Sequence, residues 1–178
     1  SEHRYDSYEN RSLFDRCIMG FNSGPPMVSG TYNNNVMIFQ APGYVSILNE
    51  MVHNVRVIPL GNGTDKPPFS QYSGVSRGHF EGNTLVVETT QFKGGQSRGT
   101  GPNMHLIERF TRLDSDTVAY EFTVTDETVY TAAYTALMPL RRTDGSLFEY
   151  ACHEGNIGMH GILAGARKLE SEGRELRR

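Results

Sequence analysis

The chain of 178 residues contains no tryptophan, only two cysteines and no apolar run near the roughly 20 residues that span a bilayer. Neither cysteine belongs to a C-x-x-C pair, which argues against a zinc or thioredoxin-type site. The 17 basic and 20 acidic residues give a net charge of -3, so neither nucleic acid nor anionic lipid is predicted as a partner. No P-loop and no H-E-x-x-H motif is present. We therefore predict no metal and no cofactor.

What the sequence does contain is aromatic residues, glycine and alternating apolar positions, which together favour β-structure. Alternation predicts strands at 36–39, 44–60, 84–92, 104–113, 118–125, 129–141 and 147–153. Short polar turns separate most of them, with Asp144-Gly145 as the last hairpin turn. This pattern is typical of a sandwich or an up-and-down barrel. We predict a mainly β fold, an antiparallel meander, followed by a helix.

The organisation predicted is one domain over 1–178. Residues 1–32 form an N-terminal extension, and 162–178 read as a helical tail because Ala, Leu, Glu, Lys and Arg dominate there. Two irregular segments interrupt the strands, at 61–78 and at 94–102. Structureless connections of this length are often binding loops, so the first is a candidate lid over a site.

The two cysteines, Cys17 and Cys152, allow two interpretations. They are either buried thiols or one disulfide that ties the N-terminal segment to the last strand. A disulfide would require an oxidising compartment. The chain begins at Ser1 without a methionine, so we expect either a mature form whose leader has been removed or a truncated product.

Two groups of polar side chains could carry out acid–base chemistry. His153 and Glu154 follow the last predicted strand, where a histidine beside a carboxylate could act as a general base or simply bind loop backbone. His105 and Arg109 share one strand face. Burying that face would require a polar ligand or a paired carboxylate, whereas an outward face would merely be solvated. Glu108 on the opposite face leaves both orientations open.

Two further positions suggest sites of their own. Glu50 and His53 form an E-x-x-H spacing, but on one continuous strand their side chains would point to opposite faces, so a shared metal is not predicted. Arg77, in the predicted lid, is a candidate anion clamp.

A series of motifs along nearly the whole chain resembles a known family. The series comprises Asn33-Asn34-Asn35, Pro42-Gly43-Tyr44-Val45, Glu50-Met51-Val52-His53 through Leu60, Ser76-Arg77-Gly78, Glu81-Gly82 with 84–89, His105, Glu108-Arg109-Phe110, 120–126 and Tyr150 through Asn156. It resembles a large group of uncharacterised bacterial proteins that are usually predicted to be exported. The resemblance implies a lipocalin-like β-barrel and an exported origin, but no settled activity. Val75 stands where the family has Asp and His79 where it has Arg, so His79 could supply a new acid–base group.

These observations lead to three hypotheses about function. The first is a cofactor-free lyase, isomerase or dehydratase that acts on a small, partly apolar molecule. Its acid–base groups would be His105 and His153, which would transfer protons, with Glu154 or Glu50 orienting one of them. Its substrate-binding groups would be Arg109, Arg77, His53, Tyr32, Tyr120 and Tyr134. The second is a non-catalytic carrier of a small apolar ligand. The third is an exported module that assembles with protein partners, and homo-oligomerisation stays open.

Overall fold

The computed structural model describes residues 3–61, 63, 67–94 and 101–174. Eight strands and one helix make up the regular structure of these residues, together with short 3-10 turns. The strands are β1 Val36–Ala41, β2 Tyr44–Asn49, β3 Val55–Pro59, β4 Val75–Glu81, β5 Thr84–Thr90, β6 His105–Arg112, β7 Thr117–Thr125 and β8 Tyr134–Arg141, and the helix is α1 Ile157–Ser171. The predicted mainly β fold with a C-terminal helix is confirmed at this level.

The strands form two antiparallel sheets, each a meander. One has the order β1-β2-β3 and the other β4-β5-β6-β7-β8. The sheets meet where Leu60, just after β3, bridges in parallel to Gly78 of β4. Gly61 then donates its N–H to the Gly78 carbonyl at 2.9 Å. One hydrophobic core contains side chains from both sheets, including Ile47 and Ile58 from the first and Val87, Leu106 and Phe122 from the second.

The predicted strand 44–60 is wrong in its middle, because the chain reverses there and forms a hairpin. Val52 and His53 both have φ near +50°, and Leu48 pairs with Val55 across the turn. β-branched residues rarely adopt positive φ, so alternation gave no sign of this turn. The reversal puts Ile47 of β2 and Arg56 of β3 on the same, buried face.

The predicted strand 147–153 is also wrong, since these residues pair with no strand in the described ranges. Backbone N–H groups of this segment are bound by side chains instead: Phe148 donates to Glu50 and Tyr150 donates to His53. Asp144-Gly145 is consequently not a hairpin turn. The strand predicted at 129–141 is shortened to β8, because residues 127–133 form the connection from β7.

Two other boundaries differ from the prediction. The irregular segment 61–78 is shorter, because β4 already begins at Val75, and residues 62 and 64–66 of the candidate lid lie outside the described residues. Most of the second segment, 95–100, lies outside them too. The helix begins five residues earlier than predicted. Asn156 caps it by accepting the Met159 N–H at 3.3 Å, and the helix forms although Gly158 and Gly161 have poor helix propensity.

The N-terminal extension closes one side of the core rather than lying loose on the surface. It contributes the buried side chains of Cys17, Met19 and Met27. Of the two interpretations of the cysteines, the structure has the disulfide: Cys17 is bonded to Cys152, with the Cα atoms 5.6 Å apart. The bond joins the extension to the segment before α1. Among the described residues, no helix has the length and apolar character that crossing a membrane requires.

Candidate functional site

A buried charged cluster lies at the centre of the core. Arg56 of β3 is 6% exposed and Glu108 of β6 is fully buried, and their side chains form a two-pronged ion pair. Tyr120 of β7 donates its hydroxyl to Glu108 Oε1 at 2.7 Å and accepts the Met27 N–H at 3.0 Å. The cluster therefore links both sheets and the N-terminal extension.

The neighbouring groups of this cluster stabilise one another's protonation states. Burial and the Glu108 carboxylate raise the pKa of Tyr120 well above its ordinary value, so the phenol remains a proton donor. Burial alone would lower the pKa of Arg56, but the neighbouring Glu108 carboxylate raises it, so the guanidinium stays charged. Since the Glu108 carboxylate, both terminal nitrogens of Arg56 and the Tyr120 hydroxyl all bind within the protein, the cluster organises the core.

The first cavity opens beside this cluster, at the end of the core where β6 and β8 finish. It has a volume of about 520 Å³. Its apolar lining comes from seven strands and comprises Val36, Ile38, Val45, Phe80, Leu85, Phe110, Val118 and Leu140. Val118 occupies the middle, since it pairs with Arg112 on one side and with Leu140 on the other. Roughly 300–1,000 Å³ is the usual range for small-molecule sites, and most such sites are apolar.

The rim of the first cavity is polar. It comprises Gln40, Asn83, Arg112, Asp114, Ser115, Asp116, Thr117, Arg141 and Arg142. Arg112 donates from Nε to the Asp114 carbonyl at 3.0 Å. Asp114 accepts the Asp116 N–H, and this bond is the main cause of the lowered pKa of Asp114. Apolar walls and a charged mouth suit a ligand with an apolar body.

A second cavity, of about 350 Å³, lies beside the hairpin turn and brings Glu50 and His53 together. Glu50 is buried and accepts from Asn35 Nδ2 at 2.9 Å and from the Phe148 N–H at 3.1 Å. His53 accepts the Tyr150 N–H on Nε2 at 3.1 Å. Both side chains thus accept hydrogen bonds from backbone N–H groups of residues 148–150. These bonds leave Glu50 and His53 fewer acceptor sites for a proton from a substrate. The positive-φ turn explains why two residues expected on opposite strand faces share one cavity.

A third cavity, of about 440 Å³, lies along the disulfide between the N-terminal extension and α1. It is lined mainly by the backbone and apolar side chains of the two segments, including Phe14, Met159 and Ile162. Asn156 borders it and donates to the Asp15 carbonyl at 2.9 Å. None of the predicted acid–base residues lines this cavity.

His105 and Arg109 lie on the outer face of β6, which decides between the two orientations that the sequence left open. His105 binds Glu88 at 2.7 Å and Arg109 binds Glu81 at 2.6 Å, and all four side chains are more than a third exposed. The inner face carries Glu108, because Arg56 compensates its charge. The pair is therefore solvated and faces none of the described cavities.

The other predicted residues are scattered. His153 and Glu154 are exposed in the turn before α1. Tyr32 is half exposed and stacks on Tyr150 at 6.4 Å between ring centroids.

Arg77 lies half-buried in β4, close to Gly63. Tyr134 packs edge-on against Tyr130 and Phe122, and Tyr120 belongs to the buried cluster. His79 is exposed beside Glu81, away from the cavities, and Val75 begins β4. Within the described ranges, no three His, Cys, Asp or Glu side chains are grouped as metal ligands would be.

The residues that sequence reasoning missed are the cavity walls and their rim, above all Val118, Leu140 and Arg112. A signal for them exists in the alternation of β7, where Val118 shares a face with Tyr120, Phe122 and Val124. The local sequence does not distinguish an apolar residue beside a cavity from one in a filled core. Alternation therefore identifies the core-facing side of β7 but not the presence of a cavity.

Comparison with protein-family models, with curated proteins and with solved structures found no match. The geometry of the cavities therefore carries the functional argument.

Proposed function

We propose that this protein is a non-catalytic carrier that binds a small, mainly apolar molecule in the first cavity. One observation carries the proposal: an open volume of about 520 Å³ whose walls are apolar side chains of the core-facing strand surfaces. Neither the histidines expected to transfer protons nor the carboxylates expected to orient them line it. Desolvation of the ligand's apolar body would supply most of the affinity.

The proposal includes a lipocalin-like barrel and an exported origin. The shared core of the two sheets and the Leu60–Gly78 bridge support the barrel. β1 and β8, at the far ends of the two sheets, both contribute walls to the first cavity, as they would beside a barrel mouth. The Cys17–Cys152 disulfide supports an oxidising compartment such as the periplasm or the exterior.

Val118→Trp tests the carrier function by filling the cavity. We expect the affinity for N-phenyl-1-naphthylamine, a neutral apolar dye, to fall at least about tenfold because the indole occupies the dye's volume. Titration of the protein into the dye, followed by dye fluorescence, measures this. Ala119→Trp is the matched control, since Ala119 is the next residue of β7 and alternation turns it to the outer face. Equal binding by the wild type and Val118→Trp, or no binding by the wild type, would refute the proposal.

A second proposal keeps acid–base catalysis, as a cofactor-free lyase, isomerase or dehydratase, at the second cavity. It is supported by Glu50 and His53, which meet at one open volume beside Glu149. In a dehydration, one of the two would take the proton from the carbon beside the carbonyl, and the other would protonate the departing hydroxyl, which leaves as water. In an isomerisation, the second group would instead give the proton to another carbon.

Glu50→Gln tests the catalytic proposal, because the amide oxygen retains an acceptor for the Phe148 N–H while the carboxylate is lost. We expect dehydration of a β-hydroxy carbonyl compound, followed by the absorbance of the conjugated product, to fall at least about a hundredfold. Thermal unfolding of the variant is the control for folding. Unchanged turnover in Glu50→Gln would contradict catalysis at this cavity.

A further inference from the structure

We propose that the ligand of the first cavity is an amphiphile whose single anionic group is bound by Arg112 and Arg142. This inference rests on the proposed carrier function and specifies the chemistry of the ligand.

Strand alternation places both arginines on the cavity side. In β6, Leu106, Glu108 and Phe110 face the core, and Arg112 is the next residue on that face. In β8, the half-buried side chains of Met138 and Leu140 face the core, and Arg142 follows them on the same face just beyond the strand. Arg112 and Arg142 thus follow the apolar rows that form the cavity walls. Both arginines lie where these walls reach the solvent.

Arg112 has unused capacity to bind an anion. In the part of the chain that the structure describes, no carboxylate lies within 4.0 Å of its guanidinium nitrogens, and its Nε donates to the backbone carbonyl of Asp114. The two Nη groups therefore remain available as a fork. Planar guanidinium forks bind carboxylate, sulfonate or phosphate oxygens in pairs, with a defined orientation.

Arg142 has only weak competitors for such an anion. Its ion pairs with Asp116 and Asp144 measure 4.0 Å and 3.8 Å, and all three side chains are at least 66% exposed. Exposed pairs of this kind contribute little and exchange readily. A ligand anion held against the apolar walls would be less solvated and would bind more strongly than either aspartate.

The side chains of the two rim aspartates accept hydrogen bonds within the turn between β6 and β7. Asp114 accepts the Asp116 N–H at 2.8 Å, and Asp116 accepts the Ser115 hydroxyl at 2.9 Å. Three arginines and these two aspartates line the cavity, so the rim itself carries one positive charge in excess. This charge favours an anion over a cation or a zwitterion.

Two dyes that share one aromatic scaffold but differ in charge distinguish binding of the anionic group from binding of the apolar body. N-phenyl-1-naphthylamine is neutral, whereas 8-anilinonaphthalene-1-sulfonate adds a sulfonate. We expect Arg112→Gln to weaken binding of the sulfonate about tenfold and Arg112→Gln with Arg142→Gln to weaken it further, with binding of the neutral dye changed less than about twofold. Lys168→Gln, an equal change of charge on the exposed face of α1, is the control and should leave both affinities unchanged.

The outcomes separate this inference from the carrier function. If the wild type binds the neutral dye but Arg112→Gln and the double variant bind the sulfonate as the wild type does, the anion site is refuted and the carrier function stands. Equal weakening of both dyes would also refute it, because the arginines would then act on the cavity's shape. If the wild type binds neither dye, the carrier function itself fails.

Discussion

Glu108→Leu is expected to lower the free energy of unfolding by about 3–5 kcal/mol, because Arg56 would remain charged and buried without its partner. Tyr120 would lose its acceptor at the same time. Urea denaturation followed by far-ultraviolet circular dichroism measures the change. Tyrosine fluorescence gives an independent probe, since the chain has no tryptophan.

The double variant Arg56→Met with Glu108→Leu is the informative control. Replacing a buried ion pair by apolar side chains of similar volume is often neutral, so we expect it to recover most of the lost stability. Glu81→Gln breaks the exposed pair with Arg109 and should leave the unfolding midpoint almost unchanged. A double variant as unstable as Glu108→Leu would show that the cluster is not held together by mutual charge compensation.

Removing the disulfide with Cys17→Ser and Cys152→Ser together is expected to cost about 2–5 kcal/mol. The bond closes a loop with a sequence separation of 135 residues, so its loss frees a large part of the unfolded chain. The few polar contacts that would still hold α1 to the extension, such as Arg167 to the Tyr5 and Asp6 carbonyls, are exposed and weak.

Reducing the wild type with dithiothreitol provides the matched comparison for the double serine variant. Reductant should lower the urea midpoint of the wild type to that of the double serine variant and leave the variant itself unaffected. An unchanged wild-type midpoint with the thiols shown to be reduced would contradict a stabilising role for the bond.

Alternation in the sequence predicted four of the strands closely, whereas β4, which pairs with the next strand β5, was not predicted. β1, β5, β6 and β7 lie within the predicted segments 36–39, 84–92, 104–113 and 118–125 to within a few residues. In β6 and β7, buried residues that face the core alternate with more exposed ones, which is the condition under which a period of two residues is visible. The mainly β fold follows from these strands.

Two further elements failed because alternation carries no signal for them. The reversal at Val52 and His53 uses positive φ in residues that do not signal it. Residues 147–150 look like a strand but are bound by side chains from the hairpin turn, almost a hundred residues earlier.

The candidate site failed for a similar reason. The face of β6 was ambiguous because both faces carry ionisable side chains, Glu108 on one and His105 with Arg109 on the other. Only Arg56, 52 residues away, shows which charge is compensated inside the core. The cavity itself arises from the packing of side chains from both sheets, and no single segment encodes it.

Methyl resonances report most directly on whether the first cavity is the binding site. In protein labelled at Ile, Leu and Val methyls, titration with N-phenyl-1-naphthylamine should shift the signals of Val118, Leu140 and Ile38 together, at one dye per chain. Signals of Leu48 and Leu147, which line the second cavity, should not move. Shifts confined to Leu48 and Leu147, or no shifts at all, would contradict ligand carriage in the first cavity.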